Sequence, residues 1–368
     1  NCVTHDNQNT GLHLTGSAAP GPSNNLILNC DSYRNYDPPV GGNADGFSAK
    51  WTVGPGNVFR GCRAYNNSDD GWDLWMGTSP VLIDSCIAYR NGVDVWFSGS
   101  FDGNGNGFKL GGDYIATPHI VRNCLSFDNA GNTGRGFDEN NNTAGQTLYN
   151  CTAFRNKGDN YHFRNVLVDS QQHVIKNCLS YSGAVSITSA VQEKNSWLGF
   201  NVGDADFLST DTTMVTLRRP ADGSLPLSTF MHLAPNSPLI DAGVPVGLPF
   251  RGKAPDLGAF EAGVLADVGI GTSLPADFGL SQNYPNPFNP STTISYRLPL
   301  EGFVRLRVYD MLGRQVVQLV DESQQPGQYS VRWAASPMPS GVYVCRLEVL
   351  GTDAAALFVQ SRKMVLAK

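Results

Sequence analysis

The sequence predicts an all-β protein: a parallel β-helix solenoid followed by a small C-terminal β-sandwich. Three observations carry that expectation. A six-position motif recurs seven times in the first half of the chain, a second Gly-plus-apolar pattern follows it in step, and longer alternating strands take over near residue 280. The 40 glycines and the scarcity of helix-period segments also fit strands and turns.

The motif reads Cys, any residue, a small residue, an aromatic, any residue, Asn. Its copies are "NCVTHDN" (1–7), "NCDSYRN" (29–35), "GCRAYNN" (61–67), "SCIAYRN" (85–91), "NCLSFDN" (123–129), "NCTAFRN" (150–156) and "NCLSYSG" (177–183). The first carries His5 in the aromatic slot and the last ends in Gly183. Cysteine spacings of 24 to 38 residues are those of a solenoid with loops of variable length. Stacked about 4.8 Å apart, the copies form an inward ladder of small apolar thiols. Asn35, Asn67, Asn91, Asn129 and Asn156 then form a turn ladder, each amide bonding the next coil. Parallel Cβ vectors point side by side, so free buried thiols are expected rather than disulfides.

The second pattern reads "TGLH" (10–13), "DGFS" (45–48), "DGWD" (70–73), "NGFK" (106–109), "RGFD" (135–138) and "YHFR" (161–164). With the apolar residue inward, its neighbours fall into two outward columns. One reads His13, Ser48, Asp73, Lys109, Asp138, Arg164; the other reads Thr10, Asp45, Asp70, Asn106, Arg135, Tyr161. Together they form one polar stripe. Asp69, Asp70 and Asp73 share a coil, Asp45 precedes them on the same face, and Lys109 follows beside Asp73.

Clustered carboxylates repel unless solvated or neutralised, so the stripe reads as an Asp-rich surface turn or as a cation site. Coil stacking favours the site. Oxygen-only ligands suit Ca²⁺, which takes roughly six to eight oxygens. Zinc is disfavoured, since the nearby sulfur donors are the inward cysteines. Lys109 reads either as a salt-bridge partner or as a base, provided calcium and Arg135 lower its pKa from about 10.4. Arg135, Arg164 and Lys50 are candidates for binding carboxylates of an anionic ligand. Trp72 is expected in the core. In the insertion "GVDVWFSGSFDGN" (92–104), Trp96, Phe97 and Phe101 read equally as sugar-stacking or as loop packing.

The blocks "NADGFSAK" (43–50), "GNVFRGCRAYNNSDDGWDL" (56–74), "GNGFKLGG" (105–112), "GFDENNN" (136–142) and "PDLGAFE" (255–261) resemble those of polysaccharide lyase family 9 pectate lyases. The resemblance covers roughly residues 1–262 and implies a right-handed parallel β-helix. It implies calcium bound by Asp45, Asp69, Asp70 and Asp73, with Lys109 as catalytic base. It further implies a chain lacking N-terminal coils, in keeping with a first residue, Asn1, that already lies in the repeat. The activity implied is β-elimination of polygalacturonate.

Boundaries are expected at 1–262 for the β-helix, irregular from 200, with a Gly/Ala/Pro linker at 263–280 and a sandwich at 281–368. The last segment has strands at "VRLRVYD" (304–310), "RQVVQLVD" (314–321), "QYSVRW" (328–333), "VYVCRLEV" (342–349) and "KMVLAK" (363–368). Its "YPNPFNPST", "VYDMLGR" and "SGVYVCRLEV" resemble the C-terminal sorting domain of the type IX secretion system. That resemblance implies the secretion machinery as partner and a secreted or cell-surface location.

A formal charge of −6 with 16% charged residues gives no electrostatic reason for nucleic acid. No apolar run reaches the roughly 18 residues of a membrane-spanning helix. The expected partner is an acidic polysaccharide, and a monomer is expected. Two competing readings stay open: a lyase or paired-carboxylate hydrolase of another acidic polysaccharide, with Asp73 and Asp138 as the pair, and a non-catalytic, calcium-stabilised carbohydrate-binding solenoid.

Overall fold

The computed structural model describes residues 1–220, 222–226, 228–263, 278–299, 302–324, 327–350 and 356–367. It divides into two units, Asn1–Gly271 and Thr272–Lys368. Of the expected linker, positions 264–277 lie outside the described residues. No helix among the described residues is long and apolar enough to cross a membrane.

In the first unit each coil gives one strand to each of three seven-stranded parallel sheets. The first sheet holds the strand after each cysteine, as in Asp31–Tyr33, Arg63–Tyr65 and Ile87–Tyr89, paired motif on motif. The second holds Phe47–Ala49, Trp72–Asp73 and Phe108–Lys109; the third holds Val81–Asp84 and its equivalents. First-sheet strands are three residues long because left-handed corners bracket them. Asn29, Gly61, Ser85, Asn123, Asn150 and Asn177 precede six of the motif cysteines, and Asp6, Arg34, Asn66, Arg90, Asp128, Arg155 and Ser182 follow the residue in the aromatic slot of each copy, all with φ between 49° and 63°. Left-handed backbone costs most side chains about 1–2 kcal/mol, which explains the Asn, Asp, Ser and Gly at most of these corners.

Within each coil the side chains stack on their counterparts. Phe47, Trp72, Phe108, Phe137 and Tyr161 form an inward ring column with centroids 4.8 to 5.1 Å apart. Trp72 is fully buried. All eight cysteines are free and only Cys2 is exposed. The asparagine ladder runs from Asn7 through Asn35, Asn67, Asn91, Asn129 and Asn156, each Nδ2 donating to the next Oδ1 at 2.7 to 3.0 Å.

A reciprocal exchange ends that ladder. In five coils the residue before the inward apolar side chain is glycine (Gly11, Gly46, Gly71, Gly107, Gly136). A Cβ there would come within 2.6 to 2.9 Å of the amide of the next coil's ladder asparagine. At the sixth step the pair is reversed. Asn160 stands in the glycine position, Gly183 stands in the asparagine position, and Asn156 Nδ2 donates to Asn160 Oδ1 at 2.9 Å. A Cβ on Gly183 would lie 2.5 Å from the Asn160 side chain. One amide fits at each step, from either side.

Side chains from the segment that follows the last coil pack on the outer face of the first sheet. Phe207, Phe230, Leu233 and Leu239 bury the aromatic slots Tyr89, Phe127 and Phe154. Arg63 and Arg219 both reach Asp31, at 2.6 and 2.7 Å.

The second unit has a three-stranded sheet (Gly279–Leu280, Ser291–Leu298, Gly327–Ala334) and a four-stranded sheet (Gly302–Asp310, Gln315–Gln324, Gly341–Leu350, Ala356–Leu366), both antiparallel, around one core. The last strand starts seven residues before the expected 363. Its alternation is hidden because polar residues occupy core-facing register positions: Gln360 accepts from the Leu280 N–H, and Arg362 donates to the Leu280 carbonyl.

Candidate active site

The polar stripe lies on the second sheet, where register alone sets its geometry. Ser48 is paired with Asp73, Asp73 with Lys109, and Lys109 with Asp138. Ligand oxygens of Asp45, Asp69, Asp70 and Asp73 lie within 4.8 Å of one another, and all four residues are buried.

Each aspartate is oriented in the same way. Its Oδ1 accepts a backbone N–H: Asp45 from Asp70 (3.3 Å), Asp69 from Asn104 (2.7 Å), Asp70 from Asn106 (2.7 Å), Asp73 from Trp75 (2.9 Å). In three of them Oδ2 meets an ammonium. Asp45 Oδ2 is 2.9 Å from Lys50 Nζ; Asp73 Oδ2 is 2.6 Å from Lys50 Nζ and 3.2 Å from Lys109 Nζ. Asp70 Oδ2 lies 3.0 Å from Lys109 Nζ, yet it is buried and accepts no hydrogen bond. The insertion contributes directly, since Asn104 supplies the Asp69 donor.

Four carboxylates against two ammonium groups leave a formal charge of −2. The electrostatics reflect that excess. Burial pushes the Asp45 carboxyl up, and Asp70 up to about 7. Burial, followed by the Asp70 charge, raises Asp69 well above the usual carboxylate range. Asp73 is instead held low, because Lys109 and Lys50 together outweigh its burial. An oxygen-only pocket two negative charges in excess fits a divalent hard cation such as Ca²⁺.

Lys50, a candidate for binding uronate carboxylates, lies between Asp45 and Asp73. It sits two residues past the outward column, so the column pattern does not reach it. Arg164 is not in the stripe. Tyr161, not Phe163, pairs with Phe137, which puts His162 opposite Asp138 and leaves Arg164 exposed two residues further on. Period-2 alternation points Tyr161 and Phe163 to the same side, and the Tyr161 hydroxyl, bonded to the Cys151 and Leu179 carbonyls, fits the inward position. Arg135 donates to Asp138 Oδ2 at 3.0 Å. Asp138 also accepts the Asn140 N–H at 3.1 Å, and Lys109 stands between it and Asp73. His162 pairs with Asp159 and His173 with Glu139, while His13 is exposed at the edge of the stripe. Trp96 stacks on Tyr36 at 4.9 Å, and Phe97 is exposed.

Comparison with known proteins places both units. Residues 1–183 match the family model described as "Pel9A-like, right handed beta helix region", and residues 282–357 match the "Secretion system C-terminal sorting domain". Pectate lyase L of Dickeya dadantii is 44% identical over 264 residues, 71% of this chain and 60% of that protein. Pectate lyase L of Paenibacillus polymyxa is 40% identical over 266 residues, 67% and 58% of the two chains. The crystal structure of pectate lyase Pel9A is similar with a TM-score of 0.67 and 43% identity, covering 71% of this chain and 64% of that one. The chain thus spans about three fifths of the length of these relatives.

Proposed function

We propose that this chain is a secreted, calcium-dependent pectate lyase acting on polygalacturonate by β-elimination, a reading supported by the match of residues 1–183 to the Pel9A-like right-handed β-helix family model. One observation carries the reading. Four buried aspartates, each tied to a backbone N–H through one oxygen, converge beside a lysine fixed by sheet register.

Asp45, Asp69, Asp70 and Asp73 are the residues that would hold calcium, which when bound supplies positive charge at the uronate carboxylate and so acidifies the C5 proton. Lys109 takes that proton at Nζ. The C5–H electron pair becomes the C4–C5 double bond, and O4 departs with the leaving chain. Only a neutral amine can do this. Burial favours the neutral form of Lys109, but Asp70, Asp73, Asp69 and Asp45 outweigh burial and hold it well above its ordinary value. The base therefore works only when the charge of those carboxylates is compensated. Lys50 and Lys109 are the most exposed charged groups of the cluster, with side chains 12% and 9% accessible, so a substrate carboxylate approaches from their side. Arg135, on the next coil, offers a second contact for a uronate group.

Against a paired-carboxylate hydrolase stands the commitment of Asp138 to Arg135 and Asn140. The sorting-domain match supports export through the type IX machinery. The test is incubation with polygalacturonate and Ca²⁺ at alkaline pH, following ultraviolet absorbance of the unsaturated product together with reducing ends. Both rise for a lyase. Reducing ends without absorbance mean a hydrolase, and neither signal means a binding solenoid. Activity restricted to another uronate polymer would move the substrate while keeping the chemistry.

A further inference from the structure

Along one edge of the acidic cluster runs a line of rings that the motif columns do not contain. His13, Trp51 and Trp75 come from three successive coils, with centroids 5.5 Å apart between His13 and Trp51 and 6.0 Å between Trp51 and Trp75. The line is fastened to the cluster twice. Trp51 directly follows Lys50, whose Nζ is 2.6 Å from Asp73 Oδ2, and the Trp75 N–H donates to Asp73 Oδ1 at 2.9 Å.

Trp51 is 44% exposed, although a side chain with so much apolar area is ordinarily drawn into a core. Its backbone is held in the left-handed region, at φ 58°, by a carbonyl that accepts from the Val53 N–H and from the Thr78 N–H and hydroxyl. Behind it, Trp75 is given room by Gly112, where a Cβ would come 2.1 Å from the indole. The ring is presented, and the chain around it is shaped for that presentation.

We propose that Trp51, backed by Trp75 and His13, is a sugar-binding platform that takes a pyranose ring of the uronate chain next to the residue whose carboxylate meets the cluster. This rests on the lyase reading for the identity of the chain bound. The occupant follows from the chemistry alongside. A uronate polymer offers C–H faces to an indole and carboxylates at its edges to the cluster, in one ligand. The rings lie 5.5 and 6.0 Å apart across three successive coils, and the acids come from two of those coils, so a chain lying along the solenoid axis meets both at once. An uncharged apolar ligand would use the rings and leave the polar stripe unmatched.

The test uses the full chain with Trp51→Ala and Trp51→Phe. Turnover of polygalacturonate with Ca²⁺ gives KM and kcat, and titration calorimetry with a defined oligogalacturonate in the Lys109→Ala background gives Kd. The alanine variant is expected to raise KM and Kd about ten-fold with kcat nearly unchanged, equivalent to about 1.4 kcal/mol, and phenylalanine to restore most of it. KM and Kd of Trp51→Ala within about two-fold of the parent overturn the platform. A parent that binds oligogalacturonate without making product, and loses that binding in Trp51→Ala, keeps the platform while removing the lyase reading. A parent that does not bind at all overturns the platform.

Discussion

Asp73 and Lys109 are register partners on adjacent strands of the second sheet, with Asp73 Oδ2 3.2 Å from Lys109 Nζ. Acid and amine are therefore held by backbone hydrogen bonding between coils rather than by a loop. Both sit on strands whose inward neighbours, Trp72 and Phe108, stack in the core at 4.8 Å. The pair is rigid by construction, which is what a base with one proton to reach requires.

Replacing that base should cost activity and little else. Lys109→Ala is expected to lower the rate of unsaturated-product formation by at least about 10³-fold, in the range of general-base contributions. The far-ultraviolet circular dichroism should be unchanged. Substantial residual turnover would remove Lys109 from the role.

The excess charge of the cluster makes a prediction of opposite sign in two conditions. Asp70→Asn removes one buried negative charge whose pKa burial already raises to about 7. In chelator the variant should melt no lower than the parent. With Ca²⁺ the parent should gain stability by ligand linkage while the variant gains much less, its calcium affinity falling at least about ten-fold. Paired thermal melts with and without the ion measure both.

A separate ion pair sets the acid limb of stability. Burial opposes ionisation of Asp31, but Arg63 and Arg219 outweigh it and hold the carboxyl below its ordinary value of 3.8. Lowered in the folded state, this group stabilises fully above the unfolded pKa, and the contribution is lost as pH falls through the folded one. Asp31→Asn is expected to cost about 3 kcal/mol at pH 7. The difference from the parent should close below about pH 4, as followed by denaturant titration across pH.

The Asn160–Gly183 exchange predicts non-additivity. Gly183→Asn alone should cost about 2 kcal/mol, because its side chain enters the space of the Asn160 amide. Asn160→Gly alone should also destabilise, since it removes the acceptor of Asn156 Nδ2. The double variant restores the arrangement of the other five coils and should lose less than the sum of the two.

Much of this was legible in the sequence because a solenoid repeats its physics. The cysteine motif fixes the first-sheet register, and with it the Asn ladder and the convergence of Asp45, Asp69, Asp70 and Asp73. The reading faltered where a coil departs from the pattern. Tyr161 and Phe163 both suit the inward slot, so alternation alone misplaced Arg164 by two residues. Lys50 lies beyond its strand, where the chain bends back toward Asp45, and no column predicts a bend. Trp51 and Trp75 were invisible for the same reason, although "AKW" and "DLW" put each a residue or two past a cluster member. In the second unit, Gln360 and Arg362 hid a strand by satisfying backbone groups from a core-facing register.

The four-aspartate pocket is tested most directly by crystals of the full chain grown with Ca²⁺ and measured for anomalous scattering. A single calcium peak is expected, with oxygens of Asp45, Asp69, Asp70 and Asp73 at about 2.3–2.6 Å and Lys109 Nζ beside it. A map with calcium elsewhere, or with Lys109 turned away from an occupied pocket, would contradict it.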